Sequence, residues 1–363
     1  MDKQDKHDIF SKQKLLVLLG PTACGKTALS LRIAQAFQAE IISADSMQVY
    51  RCMDIGTAKI RAEEMLGIPH HLLDIREPNQ TFSVADFREA ASIAIREIAM
   101  RGHLPFLVGG TGLYINSLLR PYHFPDEAAA QPALRERLRK ELAEQGNLAM
   151  HKRLAEVDPP AAARIHPNDA YRVLRALEVY TATGQTISHL QACSALSTEY
   201  DVLQIGLNLE RELLYQRIER RIDKMMAEGL VAEVHALLEA GVAREAPSMQ
   251  GLGYRQIASY LAGECTLAEA VNRLKRDTRR FAKRQLTWFR RDPDIHWFYP
   301  DHYRERECLL HDVCALISSW LKEEEHEADR TTGTFSQCHT QTADPGNVLF
   351  DQRVSDERAD QGI

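Results

Sequence analysis

The sequence has no apolar run long enough to cross a bilayer, no C-x-x-C pair and no apolar stretch near its first residue. The first absence argues against a membrane-spanning helix, which needs about 20 apolar residues. The opening Met1-Asp2-Lys3-Gln4-Asp5-Lys6-His7-Asp8 is polar, so no secretory signal and a cytoplasmic location are expected. The seven cysteines are odd in number and scattered, which argues for free thiols in a reducing compartment rather than a disulfide framework or a zinc site. Cys308, His311 and Cys314 fall at helical spacing in an apolar segment and read as core. The 363 residues are 44% apolar and 26% charged, the balance of a soluble globular protein with one large domain or two.

What the chain does have begins with Gly20-Pro21-Thr22-Ala23-Cys24-Gly25-Lys26-Thr27. The stretch follows the apolar run Leu15–Leu19 and opens a segment with Leu29, Ile33, Ala34 and Phe37 on one side. Strand, glycine-rich turn and helix form the context in which G-x-x-x-x-G-K-[S/T] holds phosphate. The glycines let the backbone curl its N–H groups toward phosphate oxygens, and the helix N-terminus adds the positive end of its dipole. Lys26 can reach a terminal phosphate, and Thr27 can ligate Mg²⁺. The motif alone leaves open whether the phosphate is hydrolysed, transferred or displaced.

Formal net charge is −6, but Lys322–Ile363 holds ten acids against four bases. The remainder is therefore neutral overall. Within it, Arg273–Arg291 carries nine bases and one acid, Asp277. Such a stripe is a footprint for a polyanion, or else a solvated helix face.

Strands and helices alternate over the first 120 residues. Lys14–Gly20, Glu40–Ala44, His71–Ile75 and Leu104–Val108 read as strands, and Gly25–Phe37 and Ser83–Met100 as helices. The pattern becomes all-helical from about Phe124 to Thr198, with helices over Pro132–Gln145, Asp158–Ile165 and Asp169–Thr183. A strand returns at Val202–Leu209, followed by helices at Arg211–Glu228, Ala232–Ala240, Thr266–Arg291 and Cys308–Leu321 and a strand at Ile295–Tyr299. The expected fold is α/β, a P-loop parallel sheet flanked by helices. Residues 12–123 and 200–322 form that core, and residues 124–199 an all-helical insertion. Residues 323–363 read as a disordered acidic tail.

Three segments meet at the carboxyl ends of the strands, where such sheets bind ligands. They are the phosphate loop, Asp45 in Ser43-Ala44-Asp45-Ser46-Met47-Gln48-Val49-Tyr50, and the turn Gly109-Gly110-Thr111-Gly112. Asp45 can hold Mg²⁺ through water, accept a proton from a nucleophile or simply cap the next helix. An apolar strand ending in a carboxylate, usual in nucleotide-hydrolysing P-loop proteins, is missing: Leu104–Val108 ends in Gly109. Hydrolysis of a nucleoside triphosphate is thus poorly supported, and the loop suits a pyrophosphate that leaves.

The combination resembles the bacterial tRNA dimethylallyltransferases, also called tRNA isopentenyltransferases. The resemblance runs in order over about residues 14–300. It rests on the phosphate loop, Asp45–Tyr50, Met53-Asp54-Ile55-Gly56-Thr57-Ala58-Lys59, Pro69–Asp74, Val108–Tyr114, Arg172–Glu178, Gly253–Gln256 and Lys283–Arg290. Cys24 stands where the family usually has serine.

The resemblance implies transfer of the dimethylallyl group of dimethylallyl diphosphate to the exocyclic amino group of the adenosine 3′ to the tRNA anticodon. Pyrophosphate leaves. By this resemblance Asp45 is the general base, Thr111 contacts the target nucleotide, and Lys26, the loop amides, Mg²⁺ on Thr27, Arg217 and Arg221 hold the diphosphate. The implied tRNA contacts are Asp45-Ser46-Met47-Gln48, Thr111, Arg135, Tyr171-Arg172-Val173-Leu174-Arg175, Gly251-Leu252-Gly253-Tyr254-Arg255-Gln256 and Lys283-Arg284-Gln285-Leu286-Thr287-Trp288-Phe289-Arg290. Trp288 or Phe289 can stack on a base or sit in the core. A monomer is expected. Rival readings are a P-loop phosphotransferase on a small molecule or nucleotide, a non-catalytic RNA-binding protein with a relic loop, and a prenyltransferase acting on free AMP or ATP.

Overall fold

The computed structural model describes residues 12–120, 132–193 and 199–332. The chain divides into a compact unit ending at Ile317 and a second beginning at Ser318. In the first unit, six parallel strands form one sheet: β1 (Gln13–Leu19), β2 (Ala39–Ala44), β3 (His70–His71), β4 (Leu104–Gly109), β5 (Tyr200–Leu207) and β6 (Ile295–Phe298). Their order is β3-β2-β4-β1-β5-β6. β1 lies between β4 and β5, with Val17 opposite both Leu107 and Gln204. Helices cover both faces of a doubly wound sheet, so Leu15 to Leu19 are buried along the whole run, and the strand shows no alternation. The chain fills the sheet on one side of β1 before crossing to the other. The crevice therefore opens at the carboxyl ends beside β1.

The intervening helices are α1 (Lys26–Phe37), α2 (Val84–Met100), α3 (Gly112–Leu119), α4 (Pro132–Val157), α5 (Pro159–Arg164), α6 (Ala170–Thr183), α7 (Ile187–Cys193), α8 (Arg211–Ala227), α9 (Leu230–Glu239), α10 (Tyr254–Leu261), α11 (Leu267–Phe289) and α12 (Arg306–Thr332). Capping boxes at Ser83 and Thr266 start α2 and α11, as their Ser-x-x-Asp and Thr-x-x-Glu spacings require. α4 breaks at Gly146, whose φ of 80° is not helical. The described residues of α4 to α7 close a core of their own around Leu138, Met150, Leu154, Val173 and Leu177.

Three expectations need correction. The third strand is two residues long rather than His71–Ile75, because Leu72 and Asp74 take φ of 63° and 53° and turn the chain out. Cys308 and His311 are exposed and Cys314 only half-buried. The buried face of that helix is Leu309, Val313 and Ile317. α12 runs to Thr332, past the expected start of the tail at 323, and residues 333–363 of that expected tail lie outside the described residues.

Glu40, at the amino end of β2, is only 4% exposed in its side chain. It accepts from Arg101 Nε (3.0 Å) and Nη2 (2.8 Å), and pairs with His103 Nδ1 and His71 Nε2 at 2.7 Å each. The Arg101 guanidinium, helped by His103 and His71, lowers the carboxyl pKa to about 2 against the opposing effect of burial. A carboxyl depressed in the folded state stabilises above its unfolded pKa, near 4.5, and ceases to as pH falls through about 2. Glu40→Gln should cost roughly 2 kcal/mol at pH 7. It should also remove that part of the acid sensitivity, read from urea melts at pH 7, 4.5 and 2.5.

Candidate active site

The phosphate loop joins β1 to α1. Ala23 and Gly25 both take positive φ (65° and 106°), and Gly20 approaches β5 so closely that a Cβ would stand 2.3 Å from the Leu207 carbonyl oxygen. That approach, which any side chain would block, aims the loop across the carboxyl ends of the strands. Lys26 Nζ donates to the Gly20 and Pro21 carbonyls at 3.0 and 2.8 Å, so the ammonium is folded over the loop. Cys24 is buried and Thr27 exposed. Among the described residues the Thr27 hydroxyl has no hydrogen-bond partner.

Asp45 follows β2 directly. Its Oδ1 accepts from the N–H groups of Met47 (2.8 Å) and Gln48 (3.3 Å), which makes it the pivot of a local turn. Among the described residues no donor meets Oδ2. Thr111, after β4, accepts from Ser46 N–H through Oγ1 (3.2 Å) and donates its own N–H to the Ala44 carbonyl (3.2 Å). The two strand ends are therefore tied together beside the loop. A Cβ on Gly109 would stand 2.2 Å from the Ala44 carbonyl oxygen, so this strand end has no room for the carboxylate that the sequence lacks there.

A second layer holds the turn at 54–57. Glu233, in the first turn of α9, accepts from the N–H groups of Asp54 (3.0 Å), Ile55 (2.7 Å) and Gly56 (3.0 Å) and from the Tyr254 hydroxyl (2.6 Å). Burial, followed by this carboxylate, drives the Tyr254 phenol pKa far up. The Thr57 carbonyl then accepts from Arg221 Nη2 (3.1 Å) and Gln48 Nε2 (3.3 Å). Burial pulls the Arg221 pKa down, and Asp45 and Cys24 oppose that pull. Arg217, one turn earlier on α8, lies 3.8 Å from where a Gly25 Cβ would be. Gln285, on α11, accepts from Thr22 N–H and donates to the Gly110 carbonyl, both at 2.9 Å, so it joins the two glycine-rich loops.

Part of this framework lines a cavity of about 350 Å³. Thr22, Asp45, Ser46, Thr111, Arg221 and Arg284 give it a polar rim, and Ile218, Ile222, Met225, Leu274 and Phe281 an apolar wall. A cationic grip, a free carboxylate oxygen and an apolar recess within one cavity suit a diphosphate ester with a hydrocarbon end.

The sequence pattern of the family described as IPP transferase matches residues 48–292. The chain belongs to the IPP transferase family. The tRNA dimethylallyltransferase of Bacillus pumilus is 50% identical over 300 residues, which cover 82% of this chain and 94% of that protein. The crystal structure of the tRNA isopentenylpyrophosphate transferase of Bacillus halodurans aligns with a TM-score of 0.67 at 45% identity, covering 87% of this chain and 99% of that one. A eukaryotic dimethylallyltransferase crystallised acting on tRNA aligns with a TM-score of 0.68 at 31% identity, over 80% and 74% of the two chains.

The residues that the family resemblance marks for tRNA differ in exposure. Tyr171 (82% exposed), Arg172, Arg255, Lys283, Arg284, Thr287 and Arg290 are exposed. Val173, Gly251, Gly253, Tyr254, Gln256, Gln285 and Phe289 are buried, and Leu174, Leu286 and Trp288 half-buried. Phe289 belongs to the core under the sheet, and Trp288 packs against it, its ring 2.4 Å from where a Gly112 Cβ would stand. Phe289 takes the core alternative, while Trp288 stays half-buried at the edge of that core. Arg135 and Arg175 both pair with the buried Glu178 at 3.0 Å.

The basic stripe of this IPP transferase is half neutralised. Lys275 pairs with Asp223, Arg279 with Glu219, and Arg276 and Arg280 with Asp277. Lys283, Arg284, Arg290 and Arg291 have no ion pair among the described residues. Sequence reasoning missed Glu233 altogether. Nothing in its local sequence marks it, because its four donors come from two distant segments.

Proposed function

We infer that this protein transfers the dimethylallyl group of dimethylallyl diphosphate to the exocyclic amino group of the adenosine 3′ to the anticodon of tRNA. The observation that carries this reading is Asp45, with Oδ1 fixed by two amides and Oδ2 uncommitted, in a cavity that begins at a phosphate loop. The amino nitrogen attacks the first carbon of the allyl chain. Its proton passes to Asp45, the carbon–oxygen bond breaks, and the electron pair leaves with pyrophosphate. The loop amides, the Lys26 ammonium, Arg217 and Arg221 oppose the charge gathering there, a preorganised clamp of the kind that dominates such catalysis.

The hydroxyl of Thr27, without a hydrogen-bond partner among the described residues, is a hard oxygen donor, which suits Mg²⁺ with waters completing its shell. When bound, Mg²⁺ would add charge stabilisation on the diphosphate oxygens. The base lies in a structured loop of the RNA and must leave its stack to reach Asp45. Exposed Tyr171 and Arg172 on α6, Lys283 and Arg284 on α11, and Arg290 at its C-cap are the side chains we assign to the RNA.

Incubation with dimethylallyl diphosphate, Mg²⁺ and unmodified tRNA, followed by nucleoside mass spectrometry, tests the reading. One adenosine should gain a C₅H₈ unit, and an unaltered tRNA would refute it. Reversal of Arg284 and Arg290 to glutamate should weaken tRNA binding and lower the slope of log K against log salt by about two, since each phosphate contact contributes roughly 0.7–0.9. An unchanged slope would return these arginines to a solvated surface.

A further inference from the structure

The cavity has a far end that the transfer step does not use. On α8 its wall is Ile218, Arg221, Ile222 and Met225, and on α11 Leu274, Thr278, Phe281 and Arg284. Each set recurs every third or fourth residue, so each is a single helix face. The ion pairs Glu219–Arg279 and Asp223–Lys275 fix the register of the two helices as antiparallel. Arg217 is then level with Phe281 beside the phosphate loop, Arg221 with Thr278 beside Thr57 and Asp45, and Met225 with Leu274 beyond them.

Going from the phosphate loop along this trough, α8 presents Ile218 and then Arg221, and past Arg221 both helices present apolar side chains to the cavity. Arg217 and Arg221 occupy the loop and carboxylate levels. Four residues further along α8, about 6 Å at 1.5 Å per residue, the trough ends at Met225. Ile222, Met225 and Leu274 are 2%, 7% and 2% exposed. Beyond Arg221 neither helix adds a titratable side chain to the lining; Arg255, on α10, lines the cavity as well and is paired with Asp277 at 3.7 Å. A diphosphate held at the loop, with its first carbon level with Asp45, directs its hydrocarbon tail at these three side chains.

We propose that Met225 and Leu274 are specificity-determining residues that end the trough after a five-carbon chain and so exclude longer allylic diphosphates. The inference rests on the transfer reading of the same site. The chemistry is unchanged for a longer donor: the nitrogen–carbon bond forms, the carbon–oxygen bond breaks, the proton goes to Asp45 and pyrophosphate leaves. Only the tail beyond the reacting carbon must find room.

The test compares dimethylallyl and geranyl diphosphate as donors to unmodified tRNA, scored as gain of C₅H₈ or C₁₀H₁₆ on adenosine. The parent protein should use the first and barely the second. In Met225→Ala and Leu274→Ala the geranyl-to-dimethylallyl ratio of kcat/KM should rise by at least about tenfold, since one methylene in an apolar pocket is worth roughly 10–200-fold. Thr278→Met, which fills the trough from a half-buried position, should raise KM for dimethylallyl diphosphate and leave KM for tRNA unchanged. An unchanged donor ratio in either folded alanine variant overturns the proposal. If neither variant folds, an unchanged donor KM in Thr278→Met overturns it. A parent protein that yields no C₅H₈ product refutes the transfer reading itself, which is a separate outcome.

Discussion

Asp45→Asn is expected to lower kcat by about 10²–10⁴-fold, the range of general-base effects, with tRNA affinity within about twofold of the parent. The substitution keeps the turn, because an asparagine carbonyl can take the place of Oδ1 and accept from Met47 and Gln48 N–H as the carboxylate does. What it removes is the second oxygen and the charge. The expected signature is therefore a loss of turnover with normal melting and normal RNA binding, from single-turnover assays and filter binding. Turnover within a factor of a few of the parent would remove Asp45 as the base. Loss of tRNA binding along with turnover would make it a recognition residue.

A comparable loss should come from a residue that touches neither substrate. Glu233→Ala strands the amides of Asp54, Ile55 and Gly56 and the Tyr254 hydroxyl, which this one carboxylate now accepts. A buried donor left without a partner costs about 1–3 kcal/mol; the Tyr254 hydroxyl is buried, Ile55 and Gly56 are half-buried and Asp54 is exposed, so the expected destabilisation is about 2–3 kcal/mol, measured by urea unfolding. Glu233→Gln should recover little, since its amide nitrogen must face at least one of the N–H groups. The same substitution frees the 54–57 turn, and with it the Thr57 carbonyl that Arg221 and Gln48 grip. KM for the diphosphate should therefore rise even at temperatures where the variant is fully folded. Stability unchanged within about 0.5 kcal/mol, a surface-substitution value, would contradict the role assigned to Glu233.

The sheet was legible because parallel strands covered on both faces read as unbroken apolar runs, and β1, β2, β4, β5 and β6 all lie within a few residues of their expected positions. β3 is shorter than its apolar pattern implies, because the pattern does not reveal the positive φ values that end it at His71. α3 and α10 were not anticipated. Both begin in glycine-rich turns, where local propensity argues against a helix and packing against the core decides. The helical spacing of Cys308, His311 and Cys314 suggests a core face, but the same segment has a second face with Leu309, Val313 and Ile317, and that face is the one buried.

The sequence by itself determined the phosphate loop, Asp45, the glycine turn after β4 and the absence of a strand-end acid. Each is a local pattern whose chemistry follows from neighbouring residues. Only the tertiary structure decided that Gln285 joins the two loops, that Glu233 holds the 54–57 turn, and that Lys275 and Arg279 of the basic stripe are spent on Asp223 and Glu219. These pairings span separations of up to 263 residues, and no period or spacing along a chain carries information about them. They exist because the packing of α8, α9 and α11 near the sheet brings distant segments together, and the backbone donors it buries must find partners wherever the fold supplies them.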